Sequence, residues 1–142
     1  MMEKVFREIL LEEPKLKEEY AGDYSNFLQL DISKVDDIFV YKLYDKRDAF
    51  PFHIVRMPHK CSNIPESIFY SALKGEFLRI ARATLKLEDF IPKAQELTKR
   101  MKNQGATHRR SQRAIMKLIS NHTETFAKYL SSPEEIARKV VE

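Results

Sequence analysis

The stretch that decides the fold is PESIFYSALKGEFLRIARA, residues 65–83. Its apolar residues recur every three or four positions, at Ile68, Phe69, Ala72, Leu73, Phe77, Ile80 and Ala81. This spacing places them on one face of an α-helix. Pro65 suits the first helical position, where its missing N–H would have had no partner. The stretch therefore predicts an amphipathic helix that packs into a core.

Downstream, further segments continue the helical pattern. One carries its apolar residues at Phe90, Ala94, Leu97 and Met101, with Gly105 as a C-terminal cap. Thr107 can cap the next, which turns Ala114, Ile115, Leu118 and Ile119 inward. A short helix is predicted over His122–Leu130. Ser132-Pro133-Glu134-Glu135 is a helix start signal for a last helix to about Val141.

Upstream of residue 65, the apolar residues recur at every second position instead of every third or fourth. Asn26–Ile32 and Ile38–Tyr44 alternate apolar and polar residues, and the polar link 33–37 is short enough for a β-hairpin. Phe52–Val55 is a candidate third strand, and Met2–Glu13 has the spacing of a short amphipathic helix. The sequence predicts an α+β protein, a small antiparallel β-hairpin followed by a mainly helical bundle of four or five helices. Its parts are residues 1–25 (helix and connector), 26–56 (hairpin) and 57–142 (helical domain).

The periodicity also predicts which side chains are buried. The predicted core consists of Leu28, Leu30, Phe39, Tyr41, Phe69, Leu73, Phe77, Ile80, Leu97, Met101, Ile115 and Leu118.

Composition excludes several classes of protein. The chain of 142 residues has three glycines and one cysteine, Cys61, which leaves no phosphate-binding glycine loop, no internal disulfide and no multi-cysteine zinc site. We see no secretory signal and no apolar run of the ~18–20 residues that span a bilayer. An intracellular protein, nuclear or cytoplasmic, without a cofactor and without membrane contact is expected.

Charge is distributed unevenly. Residues 1–38 hold five Lys/Arg against ten Asp/Glu, whereas residues 39–142 hold twenty against eleven. From Leu97 to Thr123 there is no acidic residue and there are seven cations. An ordinary solvated helix mixes both signs, because opposite charges four residues apart stabilise it. Cations left without intrahelical partners indicate a polyanionic ligand, with an ordinary basic surface as the alternative.

The candidate phosphate contacts follow from this pattern. Arg109, Arg113 and Lys117 recur every four residues opposite the apolar side of their helix, and Arg110 flanks them. The helix–Gly105–helix arrangement resembles a helix-turn-helix. A second patch combines Arg79 and Arg82 with Gly75, a glycine that admits another backbone, marks a local break in the helix or is incidental.

Catalytic alternatives are weaker. Asp31 and Asp45 could form half of a metal-dependent nuclease site, but no acid-x-Lys triplet accompanies them. His59 and Cys61 are too close in sequence for a typical catalytic couple, so a buried or half-buried thiol is expected.

The segment Leu43-Tyr44-Asp45-Lys46-Arg47-Asp48-Ala49-Phe50-Pro51-Phe52 resembles retroelement reverse transcriptases, in the region that follows the catalytic palm. Further matching segments are Cys61–Pro65, Glu76–Ala83 and Lys99–Gly105, and Phe27–Ile32 looks like the strand that ends the palm near the primer grip. Within these enzymes, the segments resemble the Penelope-like group and its animal relatives. The resemblance runs from about Asn26 to Leu130.

The departures from this family are informative. The tyrosine-x-aspartate-aspartate motif of the catalytic palm is absent, since Asp36-Asp37 follows Val35 in the predicted turn, and Gln29 replaces an acid. The resemblance therefore implies the thumb-like, helix-turn-helix part, which in the family grips the template–primer duplex. The resemblance further implies that the chain is a fragment of such an enzyme or a separately encoded relic, with a palm and fingers on another chain as an expected partner.

These observations together predict a non-catalytic module that grips duplex nucleic acid, RNA/DNA hybrid or DNA, through its phosphates. The candidate contacts are Lys46, Arg47, Arg79, Arg82, Arg100, Lys102, Arg109, Arg110, Arg113 and Lys117. For Lys46 and Arg47, a structural ion pair with Asp45 or Asp48 is the alternative. A protein-interaction or self-association module derived from such a domain is the second hypothesis.

Overall fold

The computed structural model describes residues 22–52, 54–55 and 57–141, with the backbone alone for Asp48. Within them, a three-stranded antiparallel sheet is followed by five α-helices, which confirms the predicted α+β class. The strands are β1 (Tyr24–Phe27), β2 (Leu30–Val35) and β3 (Ile38–Leu43), in that order across the sheet. The helix predicted over Met2–Glu13 lies outside the described residues.

Two tight turns connect the strands. Asp36 and Asp37 form the predicted turn, with φ of 49° and 62°. Leu28 and Gln29 form the other, with φ of 50° and 90°. The single strand predicted over residues 26–32 is therefore wrong, because the chain reverses direction at Leu28. Turns with positive φ at both positions favour Asn, Asp and Gly, and Leu-Gln carries no such signal.

Leu30, Ile32, Tyr41 and Leu43 share one face of the sheet, as the alternation predicts, whereas Val35, Ile38 and Val40 alternate onto the other face. Leu30 lies opposite Leu43, and Ile32 lies opposite Tyr41. Leu43 is buried, whereas the other three are half-buried. The predicted face is therefore real, but the described residues cover only part of it.

The predicted burial of Leu28 and Phe39 is wrong, since they are 80% and 68% exposed. The sheet meets the helices at one end, where the Leu85 N–H donates to the Tyr41 carbonyl at 3.2 Å. Phe39 lies two residues further from that end, and Leu28 projects from a turn. Periodicity fixes the face of a strand, but it does not say how far the covering layer extends.

The third strand predicted over residues 52–55 is wrong for its described residues. Phe52, Ile54 and Val55 belong to no strand, and His53 lies outside the described part of the chain. A short 3₁₀ turn precedes this segment, over Lys46–Ala49.

The helices are α1 (Glu66–Arg82), α2 (Leu87–Asn103), α3 (His108–Asn121), α4 (Thr123–Phe126) and α5 (Pro133–Val141). A 3₁₀ turn, Ala127–Tyr129, follows α4. The start signal of the last helix is confirmed, because the Glu135 N–H donates to the Ser132 hydroxyl at 3.1 Å.

The helices bury one continuous core. Eight predicted core residues are buried there, namely Phe69, Leu73, Phe77, Ile80, Leu97, Met101, Ile115 and Leu118. The Phe77 ring meets the Phe90 ring edge-on with centroids 5.3 Å apart, and Phe126 stacks on Phe77 at 5.9 Å. Aromatic pairs of this kind add to the free energy of burial. This cluster fixes how α1, α2 and α4 sit together.

The turn between α2 and α3 is sharply defined. The Ala106 N–H donates to the Met101 carbonyl and the Gly105 N–H to the Lys102 carbonyl, both at 2.9 Å. This is a Schellman motif, whose left-handed position suits glycine. Gly105 has φ of 93°, and a Cβ there would lie 3.0 Å from the Lys60 Cβ. The predicted cap is confirmed, and it sets the direction in which α3 leaves α2.

Candidate nucleic-acid interface

The outer face of α3 carries a row of exposed cations. Arg109, Arg113 and Lys117 are all exposed, and at 1.5 Å per residue they extend about 12 Å along the helix axis. The opposite face is buried through Ser111, Ile115, Leu118 and Ile119. Within the described residues, none of the three cations forms an ion pair. Packing of the apolar face therefore holds this row toward solvent.

Arg110 differs from its neighbours because it pairs with Glu66 at the start of α1. Lys60 reaches the same carboxylate, at 3.4 Å. The hydrogen bond from Arg110 lowers the pKa of Glu66, and the charge of Lys60 adds to this effect. The pair is exposed, and surface pairs stabilise proteins little. Arg110 is thus partly neutralised and ties α3 to α1.

Arg47 and Arg79 belong to an ion-pair network between the 3₁₀ turn and α1. The Arg47 Nε atom lies 2.8 Å from Asp45 Oδ1, and its Nη2 atom lies 3.4 Å from Glu76 Oε1. Arg79 donates to the same Glu76 at 2.7 Å and to Gln29 at 2.6 Å. The structure thus assigns Arg47 to the ion-pair alternative, with Asp45 as its partner. Two arginines and two carboxylates offset each other's charge here.

Burial and charge make this network electrostatically strong. The Asp45 and Arg47 side chains are only 12% and 16% exposed. Hydrogen bonding from Arg47 is the main cause that lowers the pKa of Asp45 from its ordinary value of 3.8 to about 2. The same contact raises the pKa of Arg47. The charged side chains of Asp45 and Arg47 therefore help to join the end of the sheet to α1.

The other candidate contacts are scattered. Arg100 pairs with Glu96 on its own helix. Arg82 is exposed but lies at the far end of α1, about 24 Å along the axis from the Glu66 contact. Lys46 is exposed on the 3₁₀ turn, beside the sheet, and Lys102 is exposed near the start of α3. The structure therefore separates Lys46 and Arg82 from the row of Arg109, Arg113 and Lys117, and it places Lys102 in the last turn of α2, near Ser111.

Sequence reasoning missed Lys74 as a candidate contact. On α1, Glu66 contacts Arg110, and the Tyr70 hydroxyl accepts a hydrogen bond from the Thr107 N–H at 3.3 Å. Lys74 follows at the next helical turn, so it lies on the side of α1 that faces α3. It forms no ion pair with a described residue. The contacts Glu66–Arg110 and Tyr70–Thr107 join residues far apart in sequence, so no local sequence pattern shows that this side of α1 faces α3.

The catalytic alternatives gain little support. Asp31 and Asp45 line one cavity of about 400 Å³, yet no cluster of three or more His, Cys, Asp or Glu residues in the described chain could hold a metal ion. Asp45 is occupied by Arg47. His59 Nδ1 accepts from the Cys61 backbone N–H at 3.1 Å, and the thiol is exposed, contrary to the expected burial. A two-residue spacing lets the backbone, not the sulfur, reach the ring.

No helix within the described residues has the length and apolar character needed to cross a membrane. Comparison with protein-family models, with curated proteins and with solved structures finds no match to this chain.

Proposed function

We propose that the chain is a non-catalytic module that binds duplex nucleic acid through its phosphates, as the resemblance to the thumb region of retroelement reverse transcriptases implies. The observation that carries this proposal is the α3 row, Arg109, Arg113 and Lys117. These cations are exposed and have no carboxylate partner within the described residues. Such a row favours binding of a polyanion, because each phosphate that a cation neutralises releases condensed counterions into solution.

Binding without sequence preference is expected because the side chains of the row are not held in fixed orientations. Arg109 and Arg113 make no hydrogen bond to another described residue that would fix their guanidinium groups. Reading a base edge requires a guanidinium oriented for two parallel hydrogen bonds, whereas a phosphate accepts many orientations. Non-specific affinities of this kind are ~10⁻⁴–10⁻⁶ M at physiological salt.

The test is a double charge reversal, Arg109→Glu/Arg113→Glu. It should weaken binding to duplex DNA, RNA/DNA hybrid and duplex RNA alike and flatten the salt dependence, because each lost phosphate contact removes about one unit of slope. Lys86→Glu/Arg138→Glu is the matched control: it changes the net charge equally at two exposed cations on other elements. We expect the control to bind nearly as the wild type. If both variants weaken duplex binding equally, net charge alone accounts for the effect, and the assignment of binding to the outer face of α3 is refuted.

A protein-interaction or self-association module is the second candidate, and the sheet favours it. Phe27, Leu28, Val35, Ile38 and Phe39 are all exposed there. Val35 and Ile38 lie opposite each other on one face of the sheet and Phe39 lies on the other face, so both faces expose apolar side chains of the kind found at protein interfaces. Sedimentation velocity of the wild type and of Ile38→Ser/Phe39→Ser separates the candidates: concentration-dependent association lost in the variant, together with no duplex binding at low salt, would favour this second function.

A further inference from the structure

A groove of about 490 Å³ lies between α2, α3 and α5. Its lining includes Lys99, Lys102, His108 and Ser111 on the polar side, and Val140 and Val141 on the apolar side. No Asp or Glu of the described chain belongs to the lining. Lys99 and Lys102 are exposed and make no ion pair with a described residue. The polar side of the groove is therefore cationic.

The groove adjoins the first turn of α3. The backbone N–H groups of His108, Arg109 and Arg110 precede the first intrahelical bond, which Ser111 donates to the Thr107 carbonyl at 3.0 Å. The Thr107 side chain does not cap them. Uncapped N–H groups at a helix start carry partial positive charge and bind anions.

Ser111 supplies an independent sign of a ligand. It is 4% exposed, it lines the groove, and its hydroxyl makes no hydrogen bond with any described residue. Because the rest of the residue is buried, this hydroxyl can meet a partner only through the groove, and an anion bound there would accept a hydrogen bond from it. The other polar side chains at the base of the groove, by contrast, are occupied.

The hydrogen-bonded side chains of Gln95 and Thr98 reduce the electrostatic repulsion that an anion in the groove would meet. Gln95 donates to the Lys139 carbonyl at 2.8 Å, and Thr98 donates to the Val140 carbonyl at 2.7 Å. The last carbonyls of a helix carry partial negative charge, which would oppose an anion. Because α2 donates to two of the α5 carbonyls, the end of α5 presents less negative charge to the groove.

We propose that this groove binds one phosphate group of a polynucleotide backbone, with Lys99, Lys102, the Ser111 hydroxyl and the α3 N–H groups as donors. The volume exceeds that of a phosphate and leaves room for the attached sugar against Val140 and Val141. The inference rests on the proposed function for the source of the phosphate. The groove gives the polynucleotide backbone a fixed point at the first turn of α3, the turn in which the α3 row begins at Arg109.

The first experiment uses inorganic phosphate as the probe and the full, ¹⁵N-labelled chain. At constant ionic strength set with chloride, the amide signals of His108, Arg109, Arg110 and Ser111 should shift and saturate. Ser111→Ala, which removes one oxygen atom, should weaken binding about tenfold, and Ser111→Ala/Lys102→Gln should weaken it further. Lys86→Gln/Arg138→Gln, at two exposed cations that do not line the groove, should bind phosphate as the wild type does. Signals that move equally with chloride, or equal affinity in Ser111→Ala/Lys102→Gln, would overturn the site.

The second experiment identifies the source of the phosphate with a blunt duplex that lacks terminal phosphates. It should shift the same four amide signals, and Ser111→Ala should weaken duplex binding while folding is unchanged. If phosphate shifts these signals and the duplex binds without moving them, backbone phosphate is excluded as the ligand. If phosphate binds and no duplex does, the proposed function fails and the site remains as one for free phosphate.

Discussion

The helical bundle and the sheet bury their apolar residues to very different extents, although each follows a regular period. Phe77 on α1 is fully buried between aromatic rings from α2 and α4, whereas Phe39 on β3 is 68% exposed. The helices cover one another on several sides, while the described part of the chain covers the sheet only where β3 ends at Leu43. A period thus tells which side chains share a face, and the number of layers decides whether that face is a core.

The largest test of this comparison substitutes one phenylalanine in each region. Phe77→Ala should lower the free energy of unfolding by ~3–5 kcal/mol, because it removes a buried ring and leaves a cavity. Phe39→Ala should change it by less than ~1 kcal/mol, since most of that ring contacts water already. Urea unfolding followed by far-ultraviolet circular dichroism measures both. Similar losses in the two variants would show that the sheet face is covered in solution.

The junction between the two regions provides the next test. Arg47→Ala leaves the largely buried carboxylates of Asp45 and Glu76 with less compensation, so we expect a loss of about 2–3 kcal/mol. Lys46→Ala is the matched control, because Lys46 is exposed and makes no ion pair with a described residue. It should unfold like the wild type. Duplex binding of Lys46→Ala is a separate measurement. If this variant binds duplex more weakly than the wild type, Lys46 is supported as a phosphate contact, while Arg47 stays assigned to the ion pair.

The same junction predicts how stability depends on pH. The pKa of Asp45 is lowered from 3.8 to about 2. The folded state therefore holds the charged carboxylate more strongly, and this stability is complete above about pH 4 and lost as the pH falls toward 2. The shift corresponds to about 1–2 kcal/mol. Urea unfolding of wild type and Asp45→Asn between pH 2 and 6 should show this slope in the wild type only; parallel curves would contradict the role of Asp45.

Much of the bundle could be predicted from sequence, because its signals are local. Leu97 and Met101 follow the helical period, and Gly105 and Ser132 mark helix ends with residues that suit them chemically. The turn at Leu28-Gln29 could not be predicted, since neither residue favours positive φ and the pairing of β1 with β2 imposes it.

The candidate interface divides in the same way. Exposure of Arg109, Arg113 and Lys117 follows from the apolar face opposite them, which sequence shows. Arg47 and Arg110 each reach a glutamate of the distant helix α1, Glu76 and Glu66 respectively, so the sequence pattern overstated how many cations are free. The second partner of Arg47, Asp45, lies only two residues away, and the sequence does offer that pair as an alternative. Ser111 looks like an ordinary helical serine in sequence, and only the packing of α2 and α5 around it creates the groove.

The smallest expected effect concerns Gly75 and Gly105, two glycines with opposite requirements. A Cβ at Gly75 meets no atom within 4 Å, and the backbone there is helical, so none of the described chain needs a glycine at this position. Gly75→Ala should raise the free energy of unfolding by up to ~1 kcal/mol, because alanine loses less entropy in a helix. Gly105→Ala should lower it by a comparable amount, since alanine is strained at positive φ and its Cβ would press on Lys60. Thermal unfolding of both variants measures the difference. Duplex titration of Gly75→Ala then decides between the two interpretations of this glycine: a more stable variant with weaker binding indicates that a nucleic-acid backbone approaches α1 there, and unchanged binding indicates an incidental glycine.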